Sequence, residues 1–241
     1  MWSVGTDGGS FCHLFVGERQ CGFWAGGAAA PVWDAAANLE VLLLASAPKR
    51  TGWLRPPKVK IWLSGQLARP FLFGPVQGLK SDAEAREIAR AKVRDSTSLE
   101  KALDVRIDGD PRREPAVATV VSNETVKRVQ RLVAGVGLRS VSIRPWWAAA
   151  TVLPTASADA TLLAVHDGES LTLLAEGGGR WMSVDSYPVG DQMDESRTLI
   201  RRRALGLGIA STMLVHLTPE REDRSDGGVA CWPILASVEI A

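Results

Sequence analysis

The sequence is poor in the residues that build metal centres and disulfide frameworks. Its 241 residues include three cysteines, three histidines and one tyrosine. Cys12, Cys21 and Cys231 are odd in number and form no Cys-x-x-Cys pair, which argues against a zinc site or disulfides and favours a reducing compartment. The Gly-x-Ser-x-Gly motif is absent, and no Ser/His/Asp arrangement suggests a catalytic nucleophile.

The sequence also lacks an excess of charge and a long apolar run. Lys plus Arg number 28 and Asp plus Glu 27, so the net charge of +1 predicts no binding to nucleic acid or to an anionic membrane. The longest weakly polar run, Ala204 to Val215, has 12 residues, whereas a membrane-spanning helix needs about 20. The first residues do not resemble a secretory signal. We therefore expect a soluble chain, with any membrane anchor beyond Ala241.

The composition is otherwise that of a globular protein. Hydrophobic residues make up 46% and charged residues 23% of the chain, which excludes a disordered tail, a collagen-like fibre and a disulfide-dense mini-protein. The length suits one large domain or two small ones.

Two segments of the sequence look alike. They begin at Asp7-Gly8 and at Asp167-Gly168, and subtracting 7 from 167 gives an offset of 160. Asp-Gly is typical of two-residue hairpin turns, because glycine tolerates positive φ. Each segment is predicted to be a three-stranded meander, with second turns around Gly17 and around residues 177–179. A helix and a strand are predicted to follow each meander, over Trp33–Ala47 and Val59–Ser64, and over Gln192–Leu205 and Thr212–Leu217.

A third region lies between the two similar halves. Ser81 and Glu84 have the spacing of a capping box and predict a helix to about Arg94. The further predicted elements are strands Asp104–Ile107 and Ala116–Val121, helix Glu124–Ala134, strand Ser140–Ile143 and a short helix after Pro145. We predict subdomains over residues 1–80, 81–154 and 155–241, with a linker at Pro154–Asp159.

The segment Asp7-Gly8-Gly9-Ser10 is the strongest candidate for a chemical site. A carboxylate at a turn can hold hydrated Mg²⁺, and the following amides and hydroxyl can surround a phosphate. The alternative interpretation is a plain hairpin turn.

The duplicated plan and the Asp-x-Gly turns resemble the actin-like ATPase superfamily. Asp7-Gly8-Gly9-Ser10 looks like its first phosphate loop. The middle region looks most like the cytoplasmic part of the bacterial GspL and PilM proteins of type II secretion and type IV pili. That similarity rests on Trp62–Phe71, the helix after Ser81, Val117–Ser122 with its helix, and Ser142–Trp147. The resemblance implies an α/β fold of duplicated actin-like (ribonuclease H-like) lobes, with mixed sheets flanked by helices.

Two of the three nucleotide motifs depart from that pattern. The second phosphate loop should read Asp-x-Gly, but the chain reads Asp167-Gly168-Glu169 or His166-Asp167-Gly168. Glu169 would place negative charge where phosphate oxygens should lie. The Gly-Gly of the adenosine site is displaced to residues 227–228. We therefore predict a degenerate nucleotide site at Asp7, Gly8, Gly9, Ser10, Asp167 and Gly168, with no ATP hydrolysis and no cofactor; ATP with Mg²⁺ is the alternative. No catalytic residue and no metal site are predicted.

Two further groups are candidates for binding a partner. Arg201-Arg202-Arg203 could dock an acidic protein or lipid headgroups, or could simply complement a helix dipole. Trp146-Trp147 could anchor a partner, or could pack the short helix. His13, His166 and His216 lie on predicted strands and are interpreted as packed residues.

The resemblance predicts a scaffold that binds without chemistry. It would lie in the cytoplasm at the inner membrane and link a platform protein to the motor ATPase of a secretion or pilus system. Membrane association would come only through partners or a removed helix. The alternatives are a PilM-like nucleotide switch and a small actin-fold kinase, for which no convincing catalytic aspartate is found.

Overall fold

A computed structural model of the protein describes residues 11–24, 31–48, 56–96, 103–151, 160–190, 193–217 and 235–239. The strands are β1 Cys12–Val16, β2 Gln20–Trp24, β3 Val32–Ala35, β4 Lys58–Leu63, β5 Ala68–Phe73, β6 Leu103–Asp108, β7 Ala116–Ser122, β8 Arg139–Pro145, β9 Thr161–His166, β10 Ser170–Gly177, β11 Arg180–Pro188, β12 Ser211–Leu217 and β13 Leu235–Glu239. The helices are α1 Leu39–Ser46, α2 Asp82–Ser96, α3 Asn123–Gly135, α4 Trp147–Ala150 and α5 Met193–Leu207, and a 3₁₀ turn, Ala36–Asn38, precedes α1.

Two five-stranded sheets share one plan, which confirms the predicted duplication. The first sheet has the order β3-β2-β1-β4-β8 and the second the order β11-β10-β9-β12-β13. In each, the central strand (β1 or β9) is antiparallel to its hairpin partner and parallel to β4 or β12. The halves differ at the fifth strand, since β8 is parallel to β4 but β13 is antiparallel to β12. We call the parts built on these sheets the first and second lobes.

The repeat has an offset of 150 residues and not 160. Val16 pairs with Cys21 in the first hairpin and His166 pairs with Leu171 in the second, and 166 − 16 equals 171 − 21. The turn equivalent to Asp167–Glu169 is therefore Gly17–Arg19. Asp7–Ser10 precede β1 and lie outside the described residues.

The first meander also differs from the sequence prediction in its third strand. Residues 33–47 were expected to be one helix, but Val32–Ala35 is a strand and the α-helix is Leu39–Ser46. Trp33 lies opposite Gly22 on β2, where a Cβ would come within 2.8 Å of the indole ring. Pairing with β2 and packing of Trp33 over this glycine outweigh the local helix preference of an alanine-rich segment.

A third sheet of order β5-β7-β6 is inserted after the first lobe's β4. The sheets do not follow the predicted boundaries at residues 80 and 154, because β5 belongs to the third sheet and β8 belongs to the first. One of the two bonds of the predicted capping box at α2 is present: Ser81 Oγ accepts a hydrogen bond from the Glu84 amide at 3.1 Å. The Glu84 carboxylate accepts from the amide of Lys80 at 2.7 Å.

Buried side chains form separate cores on the two faces of each lobe. Helices α1 and α3 cover the outer face of the first sheet, α5 covers the outer face of the second, and α2 packs on the third. The inner faces meet in one aromatic-rich cluster, which we call the inter-lobe core. Its members include Phe15, Trp24, Trp62, Trp146, Trp147, Leu163, Val165, Leu174, Val184 and Val215. This core brings the two hairpin turns face to face. Within the described residues, no helix has the length and apolar character needed to cross a bilayer.

Candidate functional site

The β1–β2 turn and the β9–β10 turn meet between the lobes, where the carboxylate of Glu169 binds the backbone of the other turn. Its oxygens accept hydrogen bonds from the amides of Glu18 at 2.6 Å, Arg19 at 2.6 Å and Gln20 at 2.7 Å. Glu169 is buried. Successive amides that converge on one point form an anion-binding nest, and here the anion is the protein's own side chain.

Gly17 makes room for this carboxylate. A Cβ at position 17 would overlap the carboxylate group of Glu169, so only glycine leaves the space that Glu169 fills. At the equivalent position of the second turn stands Asp167. The pair is therefore complementary, because one turn contributes space and amide donors and the other contributes carboxylates.

Two side chains of the β1–β2 turn reach back across the contact. The Arg19 guanidinium donates to the carbonyl oxygens of Gly168 at 3.0 Å and Val189 at 2.7 Å. The Gln20 amide nitrogen donates to the carbonyl oxygen of Asp167 at 2.9 Å. Gly168 has φ +85°, a conformation that favours glycine. The two turns are thus joined by five hydrogen bonds from Glu18, Arg19 and Gln20, and the bond from Arg19 to Val189, just after β11, is a sixth between the lobes.

Asp167 forms a second connection between the lobes. One carboxylate oxygen accepts from the amide of Gly65, just after β4, and from the Ser170 hydroxyl, both at 2.8 Å. The other accepts from the amides of Glu169 at 3.0 Å and Ser170 at 2.7 Å. Burial raises the pKa of Asp167 above its ordinary value, while these four hydrogen bonds act in the opposite direction.

Gly65 fits tightly against the second lobe. A Cβ there would overlap the Ser170 hydroxyl and lie 2.8 Å from the hydroxyl oxygen of Thr172. The cleft between the turns is consequently closed by direct contacts from three segments of the chain: residues 17–20, the end of β4, and residues 167–170.

Sequence reasoning found only half of this site. Asp167 and Gly168 lie in the β9–β10 turn, where the sequence predicted a loop. Nucleotide binding by these residues stays a prediction. The role of Gly17–Gln20 was missed because the repeat was aligned ten residues too early. Each central strand ends in a short polar turn with a glycine, and matching these strand ends would have found the alignment.

The partner-binding prediction for Trp146 and Trp147 is wrong. Their exposed fractions are 1% and 4%, and the Trp147 indole donates to the carbonyl oxygen of Ala68 at 3.1 Å. Trp146 packs edge-on against Phe15 and Trp62. Both indoles fill the inter-lobe core, so the packing interpretation is the right one.

The arginine run on α5 is divided between two environments. Arg201 and Arg202 are exposed, and partner binding there stays a prediction. Arg203 instead turns toward β11, where it pairs with the carboxylate of Asp185 and donates to the Ser183 hydroxyl. The run lies before the last turn of α5, which contains no basic residue.

His13 on β1 is held in an aromatic setting and is not arranged as a metal ligand. Its ring lies parallel to the indole of Trp24, with centroids 5.3 Å apart, and its Nδ1 accepts a hydrogen bond from the Trp62 indole at 3.2 Å. Burial, with the nearby charge of Lys60, lowers the pKa of His13 to about 4. No group of three His, Cys, Asp or Glu side chains in the described part of the chain could hold a metal ion.

Comparison with known proteins identifies the fold. A Bacteroides thetaiotaomicron protein with an actin-like ATPase fold and unknown function has a TM-score of 0.56 and 9% identity to this chain, over 89% of this chain and 83% of that one. The cytoplasmic domain of EpsL, an inner membrane component of the type II secretion system of Vibrio cholerae, has a TM-score of 0.48 and 14% identity, over 73% of this chain and 71% of that one. A chain of the PilM–PilN type IV pilus biogenesis complex has a TM-score of 0.49 and 16% identity, over 80% of this chain and 65% of that one. No protein-family model and no curated protein matches the sequence. The chain has the actin-like ATPase fold, as its resemblance predicted.

Proposed function

We propose that this protein is a scaffold that works without nucleotide. The observation that carries the proposal is the carboxylate of Glu169, which takes the amides of residues 18–20 between the two turns. At the offset of 150 residues the β1–β2 turn, and not Asp7–Ser10, is the equivalent of the second phosphate loop, and in the superfamily pattern the phosphate groups of a nucleotide would lie between these two turns. A buried carboxylate on those donors repels the negative charge of a phosphate and fills the space that the phosphate would need.

Contacts across the cleft would oppose the opening that a nucleotide switch needs. A ligand shifts a conformational equilibrium only if it binds two states differently. Here the turns are already joined by the hydrogen bonds of Glu169, Arg19 and Gln20, and the Asp167 carboxylate accepts a hydrogen bond from the amide of Gly65, just after β4. The protein's own groups make these contacts, which favours a permanent binding platform over a switch.

The proposed setting is a bacterial type II secretion or type IV pilus assembly platform. The protein would lie at the cytoplasmic face of the inner membrane and connect a platform protein to the motor ATPase. This part of the proposal rests on the sequence resemblance of the middle region, together with an actin-like fold whose cleft is filled from within.

The partner would bind at the third sheet or at the neighbouring edge of the first sheet. β8 forms that edge and pairs with β4 alone among the described strands, so its other side could accept an added strand. A small apolar cavity next to it is lined in part by Val121, Val126, Ile143 and Pro145. The expected partner is a short cytoplasmic tail of a membrane protein or the N-terminal domain of the motor ATPase.

Two experiments test these two levels separately. For the nucleotide, thermal unfolding is followed with Mg-ATP at millimolar concentration; a ligand at 100 times its Kd would add about 2.7 kcal/mol, and we expect no shift. A saturable shift, or phosphate release above background, would contradict the nucleotide-free scaffold.

For the partner, candidate tails and motor domains are titrated against wild type, Val141→Asp and Val32→Asp. Val141 and Val32 are exposed at opposite edges of the first sheet. We expect Val141→Asp to weaken binding and Val32→Asp to leave it unchanged. Equal effects, or no binding by any candidate, would argue against the assembly-platform setting while leaving the nucleotide result intact.

A further inference from the structure

The outer face of the first lobe carries a groove that neither the cleft nor the β8 edge uses. Helices α1 and α3 lie side by side on this face, held by one core that includes Leu39, Leu43, Val129 and Val133. Between their outward sides is a groove of about 310 Å³, lined by Glu40, Leu44, Arg128, Arg131, Leu132, Gly135 and Val136. Pockets that hold ligands have volumes of about 300–1,000 Å³. The groove is therefore large enough to receive side chains of a partner.

Apolar side chains near the groove face water. Leu44 lines it and is 65% exposed, and Val41, one helical turn earlier on α1, is 62% exposed. Leu132 on α3 and Val136, the residue that follows this helix, are partly buried and continue the apolar surface. A group of large apolar residues that remains exposed, bordered by polar ones, is typical of a protein-binding surface.

The border of the groove is mainly basic. Arg128 and Arg131 are exposed on α3, and neither forms an ion pair with a residue that the structure describes. The Nε of Arg131 donates to the backbone carbonyl of Lys127 at 3.3 Å, which leaves the charge unneutralised. Glu40 is the single carboxylate in the lining. The groove thus has an apolar floor with an excess of positive charge.

We propose that the α1–α3 groove binds an acidic amphipathic helix of a partner protein. Apolar anchors at i, i+3 and i+4 would pack against Leu44, Leu132 and Val136, as in other helix-in-groove complexes. Carboxylates beside them would pair with the two guanidinium groups, which bind carboxylates in bidentate geometry. An anionic membrane offers the same charge, but a flat surface does not fill a concave groove. This inference is independent of the proposed function.

The test uses fluorescence anisotropy with a labelled amphipathic peptide of about four helical turns, with leucines at the anchor spacing and glutamates elsewhere. We expect saturable binding with a Kd below about 100 µM. Arg128→Glu/Arg131→Glu should weaken it at least about tenfold, and Arg180→Glu/Arg197→Glu, the same charge change at two exposed arginines of the second lobe, by less than about twofold. Leu44→Ser should weaken binding more than Val41→Ser, because only Leu44 lines the groove.

Circular dichroism on each variant establishes that it is folded. The proposal is overturned if the acidic peptide shows no saturable binding, if a lysine version of it binds equally well, or if both arginine pairs have the same effect. It is also overturned if phosphatidylserine vesicles bind through Arg128 and Arg131 while the peptide does not, since the surface would then recognise lipid.

Discussion

The two hairpin turns between the lobes have the same backbone register and opposite chemistry. The β1–β2 turn offers the amides of residues 18–20, and the side chain of Glu18 points into solvent. The β9–β10 turn buries two carboxylates, Asp167 and Glu169. Where the second turn has Asp167, the first has Gly17, whose missing side chain is the space that Glu169 occupies.

The two turns show how a duplicated fold can close the cleft between its halves with its own side chains. In a symmetric pair both turns would present donors to a shared anion. Here one turn has become the ligand of the other, and the donors are satisfied without any molecule from solution. The following predictions test how far the closed cleft depends on this difference, from the largest expected effect to the smallest.

The inter-lobe core should contribute more to stability than either turn. Trp146→Ala leaves a large cavity beside Phe15 and Trp62 and should lower the free energy of unfolding by about 3–5 kcal/mol, measured by urea denaturation. Trp146→Phe should cost less, because the indole N–H has no hydrogen-bond partner within the described structure. If Trp146→Ala costs less than the turn variants below, the turns and not the core hold the lobes together.

Asp167→Ala should be the most damaging change within the turns. It leaves the buried donors on Gly65 and Ser170 without their acceptor, at a cost of about 2–4 kcal/mol. The matched control is Asp194→Ala, which removes a solvent-exposed ion pair with Arg197 and should change stability by less than about 0.5 kcal/mol. Similar losses from the two variants would show that the buried network contributes little.

Replacing Glu169 tests the idea that a carboxylate occupies an anion site. Glu169→Gln presents an NH₂ group to three amide donors and should cost about 1–3 kcal/mol. In Glu169→Ala the nest is empty, so inorganic phosphate should raise the Tm of this variant in a saturable manner and leave the wild type unchanged. Sodium chloride at equal ionic strength is the control, and equal responses to both salts would rule out a specific anion site.

Gly17→Ala approaches the same contact from the other turn. Its methyl group overlaps the Glu169 carboxylate, which must shift, so we expect a loss of about 1–2 kcal/mol. Gly135→Ala at the end of α3 meets no neighbouring atom and serves as the control for adding a methyl group. In a Glu169→Ala background the Gly17→Ala cost should largely disappear; an unchanged cost would place the strain elsewhere.

His13 gives a smaller, pH-dependent difference between the lobes, since the equivalent residue on β9 is Leu163 at the offset of 150. Its folded pKa of about 4 lies below the unfolded value of 6.5, so the folded state binds fewer protons. Its stabilising contribution is complete above pH 6.5 and is lost as the pH falls toward 4, by about 1 kcal/mol between pH 6.5 and 5.5. His13→Leu should remove this part of the pH dependence in urea titrations; an unaltered pH profile would contradict it.

Local sequence patterns were sufficient for much of the secondary structure. The second meander, α2, α3 and α5 were predicted within a few residues. Turn glycines, a capping box and helical periodicity all depend on residues that are close together in the sequence, so they can be recognised without the tertiary structure. The duplication was visible for the same reason, since both halves repeat the order of meander, helix and strand.

The failures share a different cause. Whether Val32–Ala35 is a strand depends on its pairing with β2 and on space above Gly22. The burial of Trp146 depends on the second lobe, whose Leu163 and Val165 lie in the same core. A tryptophan beside a short apolar helix can be an exposed anchor for a partner or a buried core residue. The sequence does not distinguish the two, because it does not show which surface packs against the tryptophan.

The amino-acid sequence alone determined that this protein has two similar α/β halves and that its second turn carries the wrong charge for phosphate. Only the tertiary structure decided where that charge goes. The three amides that Glu169 binds lie 149 to 151 residues earlier in the chain, far beyond the range of local backbone preferences. Two sheets had to pack on one aromatic core before a carboxylate and its donors could meet across the cleft.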